Sequence, residues 1–133
     1  MNQPILIRQP CPPGACDCRR ESLADQPVTL QRILLLTRSE EKRLLERLEN
    51  LESLEHLYRM QQRMEEQLGI RMTIEPGFNE VRSMRGIQIQ IAEQIGLCRK
   101  TRQSIPAAIR RSLEKRPEIA YNLLNSHDLL RDT

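Results

Sequence analysis

Leu68-Gly69-Ile70-Arg71-Met72-Thr73-Ile74-Glu75-Pro76-Gly77 is the stretch in which the hydrophobic period of the chain changes. Before it, apolar residues return every three or four positions, as on a helix face. From Ile70 they return every second position, with Ile70, Met72 and Ile74 alternating with Arg71 and Thr73. A period of two sends alternate side chains to opposite faces, the mark of a half-buried strand. The same alternation returns in Ile87, Ile89 and Ile91 against Gln88 and Gln90. Pro76-Gly77 and Gly86 punctuate the connection, and residues 79–85 read as a loop or a short intermediate strand. The chain is therefore α+β, with an antiparallel sheet of two or three strands.

Working back from Gly69, a natural left-handed helix terminator, Leu54, Leu57, Tyr58, Gln61, Met64, Glu65 and Leu68 predict a helix over 54–68 capped by Ser53. Leu44, Leu45, Leu48 and Leu51 predict an earlier helix over 38–50, with Arg43, Glu46, Arg47 and Glu49 outward. Thr37-Arg38-Ser39-Glu40 fits the capping-box pattern at its start. Leucines at strict threes through Leu54 and Leu57 would rotate off one face of an unbroken helix, which places a break at residues 50–53. An antiparallel helical hairpin results, one long coiled-coil helix being the alternative. Ile33-Leu34-Leu35-Leu36, just before it, suits a buried strand or the first turns of a helix, periodicity not separating the two at this length, and is read as an extended segment.

Working forward, Cys98 follows Gly96 in a loop, and Ser104-Ile105-Pro106 has the cap and first-turn proline of a new helix. Ile105, Ile109 and Leu113 line one face of it. Arg116-Pro117 ends it, because the residue before proline is pushed from helical geometry, and Pro117 opens a last helix carrying Ile119, Leu123, Leu124, His127 and Leu130. Residues 31–133 thus form a single domain of helical hairpin, small sheet and C-terminal helix pair. Residues 1–30, holding five of the eight prolines, form an extended Pro/Cys-rich N-terminal arm.

At 133 residues, 38% hydrophobic and 29% charged, the chain suits one domain with a modest core. That core must be aliphatic, since Phe78, Tyr58 and Tyr121 are the only aromatics, too few to make a stacking platform for single-stranded nucleic acid. The net charge of +3 implies no anionic partner, but residues 99–116 hold seven basic side chains and one acidic, Glu114. The longest apolar run near the start is Ile5-Leu6-Ile7, far below a signal-peptide core or a membrane span, so a cytoplasmic protein is expected.

Cys11-Pro12-Pro13-Gly14-Ala15-Cys16-Asp17-Cys18 carries the most distinctive chemistry. With Cys98 it offers four soft ligands, the number that a closed zinc site or an iron–sulfur cluster takes. The C-x4-C-x-C spacing is neither the C-x2-C of zinc knuckles nor the C-x4-C-x2-C of plant-type ferredoxins, and leaves both groups open. Arg99, Lys100 and Arg102 are expected to favour the Cys98 thiolate. The competing uses are an unliganded cysteine arm and redox chemistry, with Cys11 to Cys98 the easier disulfide. A metal shared with Cys98 is expected to be what ties the arm down.

His56 and His127 lie among helical apolar residues without a histidine partner and read as structural. No catalytic grouping or phosphate-binding glycine loop is present, so neither an enzyme nor a small-molecule substrate is expected. The function expected first is a small intracellular metal-binding interaction or regulatory protein. The alternative is a nucleic-acid-binding accessory protein, with Arg99, Lys100, Arg102, Arg110, Arg111 and Lys115 contacting phosphates and the cysteines incidental. Helix-turn-helix readout fits badly, because the arginines precede the second helix and that helix presents Glu118, Asn122, Asn125 and Asp128. A protein partner or homodimer is expected from Met60 and Met64 beside Tyr58 and Leu68, more apolar surface than a thin sheet covers, and from the glutamine-faced strand edge at 87–91.

Overall fold

The computed structural model describes residues 7–12, 14, 16–76 and 86–126. In chain order they form a 3-10 turn (Arg20–Asp25), α1 (Val28–Gln31), a second 3-10 turn (Arg32–Leu35), α2 (Arg38–Glu49), α3 (Leu54–Leu68), β1 (Met72–Glu75), β2 (Gln88–Ile91), α4 (Arg99–Lys115) and α5 (Pro117–Ser126). The expectations for residues 79–85, His127 and Leu130 lie outside the described residues.

Local chemistry sets the helix ends. Thr37 caps α2 by accepting the Glu40 N–H at 3.2 Å, and Ser53 caps α3 by accepting the His56 N–H at 3.1 Å. The Glu40 carboxylate pairs with Arg43. Gly69, at φ 72°, closes α3 by donating to the Glu65 carbonyl while Ile70 N–H reaches Met64. His56 Nδ1 accepts the Glu52 N–H, the structural role expected of it.

β1 and β2 pair antiparallel with Met72 opposite Ile91 and Ile74 opposite Ile89. Met72, Ile74 and Ile89 are buried; Thr73, Gln88 and Gln90 face out. The core is aliphatic, with Leu48, Leu51, Leu57, Ile70, Ile105, Ile109 and Ile119 almost wholly enclosed. α4 packs against both α2 and β2, and α5 packs against α3 and α4. The Ser112 hydroxyl, buried, donates to the Leu48 carbonyl and accepts the Leu51 N–H at 3.0 Å. One side chain on α4 thereby satisfies two of the backbone groups left over where α2 ends.

Four local expectations are corrected. Residues 32–35 are a 3-10 turn rather than extended chain; Ile33 is buried while Leu35 is exposed, a period that a strand could not deliver. α4 begins at Arg99, not Ser104, and carries Pro106 inside it. Burial of Thr101 and Ile105 against its neighbours outweighs the hydrogen bond that proline removes. The buried face of α3 runs through Met60 and Met64, leaving Tyr58 exposed, so these methionines do not stand open to a partner. The N-terminal arm, finally, is not extended throughout: it turns at Arg20–Asp25 and inserts Leu23, 2% exposed, into the common core. No helix among the described residues is long and apolar enough to cross a membrane.

Candidate metal centre

Leu23 reaches the core beneath Gly96, and this close approach fixes the site. Gly96 adopts φ 87°, and a Cβ there would lie 2.6 Å from Leu23 Cδ1 and 2.9 Å from Ile33 Cγ2. Only glycine fits both the backbone and the space. The Gly96 N–H donates to the Cys18 carbonyl at 2.6 Å, so the loop that delivers Cys98 is joined directly to the N-terminal segment that delivers Cys18.

Arg8 makes the second attachment. Its N–H donates to the Leu34 carbonyl at 2.6 Å. Its guanidinium bonds the Leu36 carbonyl at 2.9 Å and the Glu41 carboxylate at 3.2 Å, and reaches to 3.8 Å from Cys98 Sγ. Glu41 also accepts the Thr101 hydroxyl at 2.6 Å, and Arg20 donates to the Arg8 carbonyl at 2.8 Å. The arm is therefore held by the fold itself; an ion is not its sole tether, contrary to the loop-closure expectation.

Within this frame the ligand atoms of Cys11, Cys16, Cys18 and Cys98 all lie within 4.8 Å of one another, with Cys11 and Cys98 Sγ 3.5 Å apart. All four are free thiols. Cys18 and Cys98 are buried; Cys11 and Cys16 are partly exposed. Four cysteines thus stand close together and could hold a metal ion.

Backbone geometry aims donors at the sulfurs. Arg19, the only non-glycine described residue with positive φ (55°), turns the chain so that the Arg20 N–H points back to the Cys18 sulfur. The Cys18 N–H likewise donates to the Cys16 sulfur. Burial pushes Cys16 up, but the Cys18 N–H and contacts from the Cys98, Cys18 and Cys11 thiols outweigh it, and its pKa falls below the ordinary value. Burial dominates at Cys18, which is raised, and at Cys98, which is pushed up to about 11. The Cys98 result reverses the expectation from Arg99, Lys100 and Arg102. Arg99 and Lys100 stay exposed, Arg102 pairs with Glu93 at 2.9 Å, and the cation that does reach the sulfur is Arg8. Arg8 was invisible in the sequence because nothing in its neighbourhood marks it; its partners are 28 to 90 residues away.

The remaining basic residues divide. Arg110 donates to the Ile87 carbonyl at 2.9 Å, Arg111 pairs with Glu49, and Lys115 reaches the Glu49 carbonyl at 3.3 Å. Arg99 and Lys100 have no partner among the described residues and, with Arg8 and Arg38, border a cleft of about 640 Å³ over Cys11, Cys16 and Cys98. Comparison with protein-family models, with curated proteins and with solved structures finds no match to this chain.

Proposed function

We propose that the chain is a small, non-enzymatic interaction or regulatory protein whose four cysteines hold one zinc ion. The observation that carries the reading is the mutual approach of all four sulfurs to within 4.8 Å. Zinc–thiolate bonds of about 2.3 Å place tetrahedral sulfurs about 3.8 Å apart, so small side-chain rotations suffice to close the site. An iron–sulfur cluster distributes its thiolates over separate iron atoms joined by sulfide, and needs some of these sulfurs wider apart.

The surroundings favour the same reading. Four thiolates around a divalent ion carry a net charge of −2, and Arg8, Arg38, Arg99 and Lys100 offset it from one side. Cys98 sits at the N-cap of α4, where the positive end of a 17-residue helix adds to them. The backbone N–H donors to Cys16 and Cys18 supply the outer-shell bonding that orients metal-bound sulfur.

Native mass spectrometry of protein purified without air or chelator tests the proposal. One zinc per colourless chain, lost in both Cys16→Ser and Cys98→Ser, is expected. Iron with visible absorption would replace zinc by a cluster, and chains free of metal at micromolar zinc would remove the site altogether.

A further inference from the structure

The cleft of about 640 Å³ over the cysteines lies where the fold sets two helix starts side by side. α2 and α4 run parallel: Thr101 bonds Glu41 near their first turns, and Arg111 pairs with Glu49 near their last. Arg38, the first residue of α2, and Arg99, the first of α4, therefore border the same opening, with Lys100 beside them. All three are exposed and have no partner among the described residues. Asp17 is the one acid lining the cleft, and the positive ends of both helices add to the cations at its rim.

Clefts that hold small molecules measure about 300–1,000 Å³, and this one falls within that range. Its rim selects an anion, and what the rim surrounds is sulfur. Cys11 and Cys16 are partly exposed there, Cys98 lines the cleft although buried, and Cys18 does not line it. A molecule admitted through this rim therefore meets the more exposed thiols first. The sulfur that Cys11 faces is that of Cys98, at 3.5 Å. A disulfide bond is about 2.05 Å long, so small side-chain rotations close the gap. The link would bridge two segments that the Gly96–Cys18 hydrogen bond has already docked.

We infer that the cleft admits an anionic low-molecular-weight disulfide, with carboxylates on both sides of its S–S bond, which oxidises Cys11 and Cys98 to a disulfide. The Cys11 sulfur attacks one sulfur of the ligand. The ligand's S–S bond breaks, a Cys11–ligand bond forms, and half of the ligand leaves with the electron pair as a thiolate. The Cys98 sulfur then attacks Cys11, the mixed bond breaks, and the second half leaves in the same way. Both departing thiolates take up protons, from the two thiols in metal-free protein and from water in zinc-loaded protein. Two electrons pass from the cysteine pair to the ligand. A neutral oxidant gains nothing from the basic rim. Only Cys16 and Cys18 then remain for the ion, too few for a closed four-thiolate site, so zinc is released. For that last consequence the inference rests on the proposed function, which it deepens by naming the chemistry that discharges the site.

Reaction of the full chain at low ionic strength with three probes tests this: glutathione disulfide, which is anionic, neutral hydroxyethyl disulfide and cationic cystamine. Each rate is divided by that of a neutral model thiol, which removes the intrinsic reactivity of the probe. The anionic probe is expected to be favoured over the neutral one by about tenfold and the cationic probe disfavoured. The preference should vanish with added salt and in the Arg99→Glu/Lys100→Glu double variant. Because it is a ratio between probes, it cancels any change that the substitutions make to the thiols themselves. Peptide mapping by mass spectrometry should find Cys11 joined to Cys98. No anionic preference, a preference unmoved by the double variant, or a wild-type product joining other cysteines would overturn the inference. Running chelated and zinc-loaded protein in parallel, with a chromophoric chelator reporting release, separates the two readings. Chains that bind no zinc but form the Cys11–Cys98 link with the anionic preference leave this inference standing, and zinc-loaded chains indifferent to probe charge leave the ion standing.

Discussion

Residues 7–25 and the body from α2 to α5 are attached by different physics. The body encloses many aliphatic side chains, Leu48, Leu51, Leu57, Ile105 and Ile109 among them, each worth about 1.5–3 kcal/mol when taken from water. The N-terminal segment commits one aliphatic side chain, Leu23, and otherwise relies on hydrogen bonds from Arg8, Arg20 and Gly96, each contributing about 1 kcal/mol net. Burial is collective and lost all at once; point attachments open locally. A metal ion held by the four cysteines would therefore matter most where burial is least.

Removing the ion is expected to give the largest difference between the two regions. Hydrogen exchange after chelation should accelerate at residues 16–23 while amides of α4 and α5 keep their protection. Equal acceleration in both would show that the arm is integral to the core.

Gly96→Ala attacks the joint between the regions. The added methyl meets Leu23 and Ile33 on a left-handed backbone, so a loss of about 2–4 kcal/mol in urea unfolding is expected, together with weaker zinc retention. A loss under ~1 kcal/mol would mean that the loop shifts freely. Ser112→Ala probes the body alone. It leaves the buried Leu51 N–H and Leu48 carbonyl without the hydroxyl, costing about 1–3 kcal/mol with zinc affinity unchanged.

The smallest effect is a pH dependence of chelated protein. Burial first, and thiol contacts from Cys11 and Cys16 after it, raise Cys98 from 9.0 to about 11. A raised pKa means that the fold favours the neutral thiol, so this contribution is complete below pH 9 and is lost as pH climbs through 11. Thermal unfolding midpoints of chelated protein should fall across that window by more than those of Cys98→Ala. Parallel curves would remove the effect.

Helix ends and strand alternation were legible because each depends on residues within a few positions: Thr37, Ser53, Gly69 and Pro117 mark boundaries by their own backbone preferences. The grouping of four cysteines was legible from their number and from the chemistry of soft ligands. What escaped was set by distant partners. Arg99–Gln103 joins α4 because Thr101 finds Glu41, sixty residues back. Arg110, Arg111 and Lys115, a basic face in the sequence, bond Ile87 and Glu49 across the fold. Leu23 belongs to the core because Gly96 leaves room for it, a fact recorded in neither segment alone.

The bond between the Gly96 N–H and the Cys18 carbonyl bears on how an ion would be captured. Since the loop bearing the fourth thiol is already docked beside the other three, its encounter with a captured ion is intramolecular, at an effective concentration in the millimolar range or above. Ligation by three cysteines should pass to four without an accumulating intermediate. In competition with cellular thiols, the chain would act as an all-or-none chelator, with release governed by the opening of that joint together with the Arg8 contacts.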